Sequence, residues 1–208
     1  MHAAEIVKNF ELKLSDGKNF NDPFELGMFN KRTREFTRKD GLHILCLTNS
    51  HLHKLMWSHY SDSHKGVCLT VEVPCELAYP VGYTGRRVYD DSNLDEILES
   101  VFSRQNAKRN LIKPYNRLPK HKRIAYIKDQ KWAYEKEYRI VFDDNDPGLI
   151  KKADEWYMSI KIKNVYLGVR FNENEEEIKN NLIESCKQQN VSIKQIKLSS
   201  NSYSLQVK

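Results

Sequence analysis

The change of period between residues 52 and 73 constrains the fold more than any other feature of the sequence. Leu52, Leu55, Met56 and Tyr60 recur at helical spacing, as the apolar side of a short helix does. Gly66 ends that stretch, and Val67, Leu69, Val71 and Val73 then alternate with Cys68, Thr70 and Glu72, the pattern of a strand with one face turned to a core. A helix stripe followed directly by a half-buried strand excludes all-helical and all-strand architectures.

The same two periods return along the rest of the chain. A short helix is expected over 2–9 and a strand over 10–14, followed by an ordered loop that Phe20 and Phe24 anchor in the core. Strands are expected at 42–48 and 81–89, and a helix over 50–60. An amphipathic helix over 93–109 carries the stripe Leu94, Ile97, Leu98, Val101 and Phe102, with Ser92 and Asp95 as its capping box. A second helix follows over 120–132, and a strand over 138–142 stops at Asp143-Asp144-Asn145-Asp146-Pro147-Gly148. Strands at 157–162 and 165–169 precede a helix capped by Asn172, whose leading glutamates suit the helix dipole. Strands at 191–198 and 203–207 close the chain. With no repeat or linker, the expectation is a single domain over 1–208. Its class is α+β, with twisted, mostly antiparallel sheets flanked by helices.

Composition narrows the setting. Apolar residues make up 39% and charged residues 30%, a globular balance. No run approaches the roughly eighteen apolar residues of a membrane span, and residues 1–11 lack the pattern of a secretory signal, so a cytoplasmic protein without membrane association is expected. Cys46, Cys68, Cys75 and Cys186 show no CxxC spacing, which predicts reduced and mostly buried thiols. The net charge of +6 is unevenly spread: residues 104–131 hold ten Lys or Arg against the single Asp129, a local +9. That density suits a phosphate-bearing partner or the solvated face of a helix. In the first case Lys120, Lys122 and Arg123 would contact nucleic acid, with Tyr115 and Tyr126 stacking on bases.

Several chemistries are excluded or disfavoured. Gly66, Gly82 and Gly85 form neither GxxxxGK nor GxGxxG, and no GxSxG occurs. His43, His51, His53, His59 and His64 crowd a short stretch but lack the paired spacing of zinc signatures, so no metal is expected. Asp143, Asp144 and Asp146 read as turn residues rather than cation ligands. Two constellations remain. Met56-Trp57-Ser58-His59-Tyr60 precedes the alternating strand, and Trp132-Ala133-Tyr134-Glu135-Lys136-Glu137-Tyr138-Arg139 puts two carboxylates two residues apart at a strand mouth. If β geometry extends back to Glu135, both point the same way. Surface ion pairing with Arg139 or Lys131 is the plainer account of them.

These constellations, with Asn19-Phe20-Asn21-Asp22-Pro23-Phe24-Glu25 and Val165-Tyr166-Leu167-Gly168, resemble a bacterial family called domain of unknown function 2971, over about residues 4–168. More remotely, the order of helix, strand, Ser or Thr, Tyr, strand and Glu-x-Glu is similar to the ADP-ribosyltransferase fold. That resemblance implies an NAD-consuming transferase or glycohydrolase. Glu137 would stabilise the oxocarbenium ion, Glu135 would direct a protein or nucleic-acid acceptor, and Tyr60 would stack on nicotinamide. His59 and Trp57 would complete the wall, and Thr48 would stand where such proteins often carry Ser. It also implies a first strand bearing Arg or His, which is expected to be absent because Met1 falls after its place. Small enzymes resembling this fold suggest a role in bacterial or phage conflict, as a defence protein or toxin. The alternative is a non-catalytic binding or regulatory module, with the basic segment 104–131 as a nucleic-acid surface.

Overall fold

Strand propensity at 43–48 and 137–142 is satisfied by mutual pairing, and that pairing organises the site. In the computed structural model, which describes residues 3–106, 117–171 and 176–208, His43–Thr48 runs antiparallel to Glu137–Phe142, with Thr48 opposite Glu137 and Cys46 opposite Arg139. Ser15–Asp16 and Tyr79–Pro80 flank them in a four-stranded antiparallel sheet. This sheet belongs to one of two compact units, Lys13–Asn49 with Pro74–Trp156; the other comprises Met1–Leu12, Ser50–Val73 and Tyr157–Lys208. Both units mix helices with largely antiparallel sheets, so the protein is α+β.

The core of the Lys13–Asn49 and Pro74–Trp156 unit gathers Ile44 and Val141 from the central strands, Leu94, Ile97, Leu98 and Phe102 from the helix Asp91–Asn106, and Tyr126 and Ile127. The helical stripe is thus buried as its periodicity required; residues 107–109 of the expected helix lie outside the described residues. Its start differs from expectation. Asp90 Oδ1 accepts from the Asn93 amide at 2.7 Å, and Asn93 Oδ1 accepts from the Tyr89 amide at 3.1 Å. This pair caps the helix two residues before the expected Ser92–Asp95 box and leaves Asp95 free to bind Arg123 at 2.7 Å.

Two further expectations in this unit are overturned. The strand expected at 81–89 is only Gly82–Thr84, because Thr84 Oγ1 accepts from the Arg86 amide at 3.0 Å and turns the chain. The helix expected over 120–132 is broken into Lys120–Arg123, a 3₁₀ turn at Ile124–Tyr126, the strand Ile127–Asp129 and a 3₁₀ stretch at Gln130–Glu135. Ile127–Asp129 pairs in parallel with Gly82–Thr84, so a long-range ladder overrides local helical spacing. Phe20 packs on the core as expected, but Phe24 is 56% exposed and anchors nothing there. The hairpin of Gly27–Phe29 with Phe36–Arg38 and the strand Leu149–Lys152 carry too little patterning to be foreseen.

In the other unit, Lys161–Leu167 pairs antiparallel with Val67–Glu72 and parallel with Ser192–Leu198, which pairs with Leu205–Val207. The helix Glu176–Gln188 joins the parallel pair, as a crossover must. The expected Asn172 cap lies outside the described residues. Val67–Glu72 is the edge strand of this sheet, and its residues Val67–Val71 are all half-buried rather than split between a dry and a wet face. Cys68, not the valines, packs on the cluster of Trp57, Tyr166, Ile196 and Leu205.

Candidate functional site

Five charged side chains converge in the interior of the Lys13–Asn49 and Pro74–Trp156 unit. Glu25, Lys128, Glu135, Glu137 and Arg139 are each no more than 4% exposed. Lys128 Nζ lies 2.6 Å from Glu135, 3.1 Å from Glu25 and 3.2 Å from Glu137. Arg139 donates from Nε to Glu137 at 2.6 Å, from its second amino group to Glu25 and to Glu137, and from its first to the Ala125 carbonyl at 2.7 Å. Three carboxylates face two cations, leaving a formal charge of minus one in a dry interior. Burying ions costs several kcal/mol each unless every one is paired, and here each is.

Local structure explains the convergence. Arg139 lies two residues beyond Glu137 on one strand, so both side chains leave the same face. Glu135 reaches that point differently. The strand begins at Glu137, Glu135 ends the 3₁₀ stretch, and Lys136 between them has φ of +48°. The two carboxylates therefore meet at Lys128 through a left-handed turn and not through extended β geometry. Their expected role as surface ion pairs is also overturned: Glu137 pairs with Arg139, as anticipated, and Glu135 with Lys128, but both pairs are buried.

The surroundings tune these groups. Burial alone would push the Glu137 carboxyl up, yet Arg139 and then Lys128 outweigh it and hold the group below the usual carboxylate range. Burial would likewise lower Lys128, and Glu137, Glu25 and Glu135 reverse the effect and raise it. The Tyr83 hydroxyl accepts from the Glu137 amide at 2.9 Å, and burial pushes its pKa up to about 12. Thr48 Oγ1 donates to the Glu135 carbonyl at 2.9 Å. Burial raises the Cys46 thiol well above its usual pKa, and the nearby Glu137 carboxylate adds to the effect, although the residue as a whole is exposed.

A cleft of about 140 Å³ opens beside the cluster, with Glu25 and Lys128 in its lining together with Phe24, Phe36, Arg86 and Arg87. Sequence reasoning missed Lys128, Arg139 and Cys46 as members of the site. Only Arg139 carried a signal, its two-residue spacing from Glu137. Glu25 entered only as part of the Asn-Asp-Pro-Phe-Glu motif.

The remaining expected site residues are placed as follows. Trp57, His59 and Tyr60 lie on the helix Lys54–Tyr60 of the other unit. Trp57 is a core residue instead of a ligand wall: it is buried, its indole donates to the His51 carbonyl at 2.7 Å, and its ring parallels His64. Tyr60 is exposed, with its ring edge-on to His59. Among the described residues, no three His, Cys, Asp or Glu side chains are arranged to hold a metal ion. His43 instead bonds Asp144 at 2.6 Å, and His51 stacks on Tyr166. Cys46 and Cys75 are exposed, which corrects the expectation of mostly buried thiols.

The basic segment also looks different in three dimensions. Lys122 is buried against Asp143, at 3.0 Å, and Asp146, so the expected phosphate contact is an internal ion pair. Arg123 is committed to Asp95 and to the Leu118 carbonyl, and Tyr126 is buried in the core and cannot stack on bases. Lys120 remains exposed. Tyr115 lies outside the described residues. Among the described residues no helix is long and apolar enough to cross a membrane.

The fold and cluster define an α+β protein with a buried acidic centre beside an open cleft. Residues 56–140 match the family described as Protein of unknown function (DUF2971). That confirms the family resemblance over a shorter stretch than the motifs suggested, since Asn19–Glu25 and Val165–Gly168 fall outside it. No curated protein and no solved structure matches the chain.

Proposed function

We propose that the protein is an NAD-consuming enzyme of the ADP-ribosyltransferase kind, with Glu137 as the carboxylate facing the reacting ribose. The carrying observation is the excess of carboxylate over cation around Glu137, held ionised by Arg139 and Lys128. In the reaction the C1′–N bond of NAD breaks and its electron pair leaves with neutral nicotinamide. The cationic ribose is then captured by water, which loses a proton to give ADP-ribose, or by an acceptor nucleophile. A fixed anion beside the developing cation lowers that barrier without a metal. Glu135, tied to the same lysine, is suited to steering the attacking group, and Thr48 buttresses Glu135 through its carbonyl.

A second reading, a binding or regulatory module with a silent site, is favoured by one observation. Both Glu137 oxygens already carry ion-pair bonds, so the carboxylate has little capacity left. One experiment decides between the two. Purified protein with nicotinamide-labelled NAD, alone and with protein, RNA or DNA acceptors, releases labelled nicotinamide under the first reading, and Glu137→Gln abolishes release. No release by the wild type with any acceptor, together with no NAD binding by calorimetry, refutes it. Assignments to Tyr60, His59 and Trp57 take no part in this proposal. A conflict role, as defence protein or toxin, would follow only if NAD depletion or acceptor modification arrests a host cell.

A further inference from the structure

The cleft beside the acidic centre has a lining that a structural pocket does not need. Phe24 is 56% exposed, yet it is not loose: Phe36 meets it at 87° with ring centroids 6.1 Å apart, and the Arg87 guanidinium lies 4.3 Å over its ring. Large apolar side chains held open at a concavity are characteristic of binding surfaces. The wall behind them is tightly built, because a Cβ on Gly27 would fall 1.9 Å from the Phe36 ring. Only glycine at 27 lets that ring lie flat against the hairpin.

The charges lining the cleft are unequal in availability. Glu25 and Lys128 are committed to the buried cluster. Asp22 accepts from the Phe24 amide at 2.9 Å, and Asp129 from the Lys131 amide at 2.8 Å. Arg86 is shared with the exposed Glu96 at 3.0 Å. Arg87 differs: its partners among the described residues are the rings of Phe24 and Phe29, with no carboxylate. A guanidinium already oriented by stacking and still lacking an anion is preorganised to take one, preferably in the two-pronged fashion of a phosphate. The volume of about 140 Å³ suits a single flat ring, since an apolar cavity of roughly 150 Å³ admits benzene.

We infer that this cleft is a subsite for a nucleoside phosphate, its ring against Phe24 and Phe36 and its phosphate on Arg87, with Arg86 as auxiliary cation. The choice of a nucleotide, rather than another phosphorylated ring, rests on the NAD reading of the adjoining centre. The anion-and-ring specificity rests on the cleft alone. Glu25 and Lys128 belong to both cleft and cluster, so a ligand seated here lies against the residues that hold Glu137.

The test is calorimetric titration of the full chain with AMP, ADP-ribose, adenosine and inorganic phosphate. AMP should bind at least about tenfold tighter than either adenosine or phosphate alone. Arg87→Gln and Phe24→Ala should each weaken AMP by about tenfold or more, the scale of one charge-assisted bidentate contact or one stacked ring. Arg87→Lys should fall between wild type and Arg87→Gln. If phosphate equals AMP, if AMP does not bind, or if Arg87→Gln leaves affinity unchanged, the inference is overturned. Should Arg87→Gln not fold, 8-azido-AMP photolabelling of the wild type reads the same question: label within 22–36 or 84–88 supports the subsite, and label confined elsewhere overturns it. Nicotinamide release separates the two proposals. AMP binding that depends on Arg87 without any release retains the subsite and discards the enzyme reading. Release that depends on Glu137, with KM unmoved by Arg87→Gln, does the reverse.

Discussion

Replacing Lys128 with methionine tests the buried cluster most directly, because one ammonium there serves three carboxylates at 2.6, 3.1 and 3.2 Å. Methionine keeps most of the side-chain volume, so the change is chiefly electrostatic. At about 3 Å and an effective dielectric of about 20, each contact has a gross value on the order of 5 kcal/mol. The desolvation that burial imposes on the ammonium offsets much of this sum. What remains is the penalty for stranding charge: the formal charge goes from minus one to minus two, with only Arg139 left to share among Glu25, Glu135 and Glu137. Removing one partner of a buried ionic group costs about 3–5 kcal/mol, which for a chain of this size lowers the melting temperature by roughly 6–20 °C. The sign of the pH dependence is fixed by the same argument. Without Lys128 the stranded carboxylates have raised pKa values and bind protons in the folded state, so the gap between mutant and wild type should narrow as pH falls towards about 4. Denaturant unfolding from pH 4 to 8 measures both effects, and adding Glu135→Gln to Lys128→Met should recover part of the loss. A difference below about 1 kcal/mol at pH 7, or one that does not change with pH, would show that the cluster is solvated and the reasoning wrong.

Three further outcomes are expected. Lys122→Ala, which takes the ammonium from Asp146 and leaves Asp143 with His121, should cost about 2–4 kcal/mol by chemical denaturation, while Lys120→Ala stays within about 0.5 kcal/mol; equal small effects would return Lys122 to the surface. Gly168→Ala should destabilise by about 2–4 kcal/mol, because its Cβ would fall 2.1 Å from the His64 carbonyl oxygen, a backbone atom that cannot swing aside. In the wild type, Glu137 has a depressed pKa, so its contribution is complete above the unfolded value of about 4.3 and is lost as pH falls through the lower folded value. Glu137→Gln should flatten that acid limb of the stability curve, and an unchanged limb would assign the acid sensitivity to other carboxylates.

What sequence alone determined is what periodicity and local chemistry control. The helix stripe of Leu94, Ile97, Leu98 and Phe102, the strands expected at 42–48 and 138–142, and the α+β class follow from the periodic placing of side chains on one face, a property of the backbone itself. The Glu135 and Glu137 pair stood out for a similar reason, as charge at the start of a strand. Only tertiary structure decided the rest. The parallel ladder of Ile127–Asp129 with Gly82–Thr84 replaces a helix that residues 120–132 favour locally, since a distant partner supplies the hydrogen bonds. That ladder carries Lys128 inward to meet Glu25 across more than a hundred residues of sequence. Tertiary partners likewise turned a run of basic residues into one buried hub at Lys128 and ion pairs at Lys122 and Arg123. Charge counted along a chain gives the total but not the depth at which each ion comes to rest, and depth decides whether it faces solvent or a site.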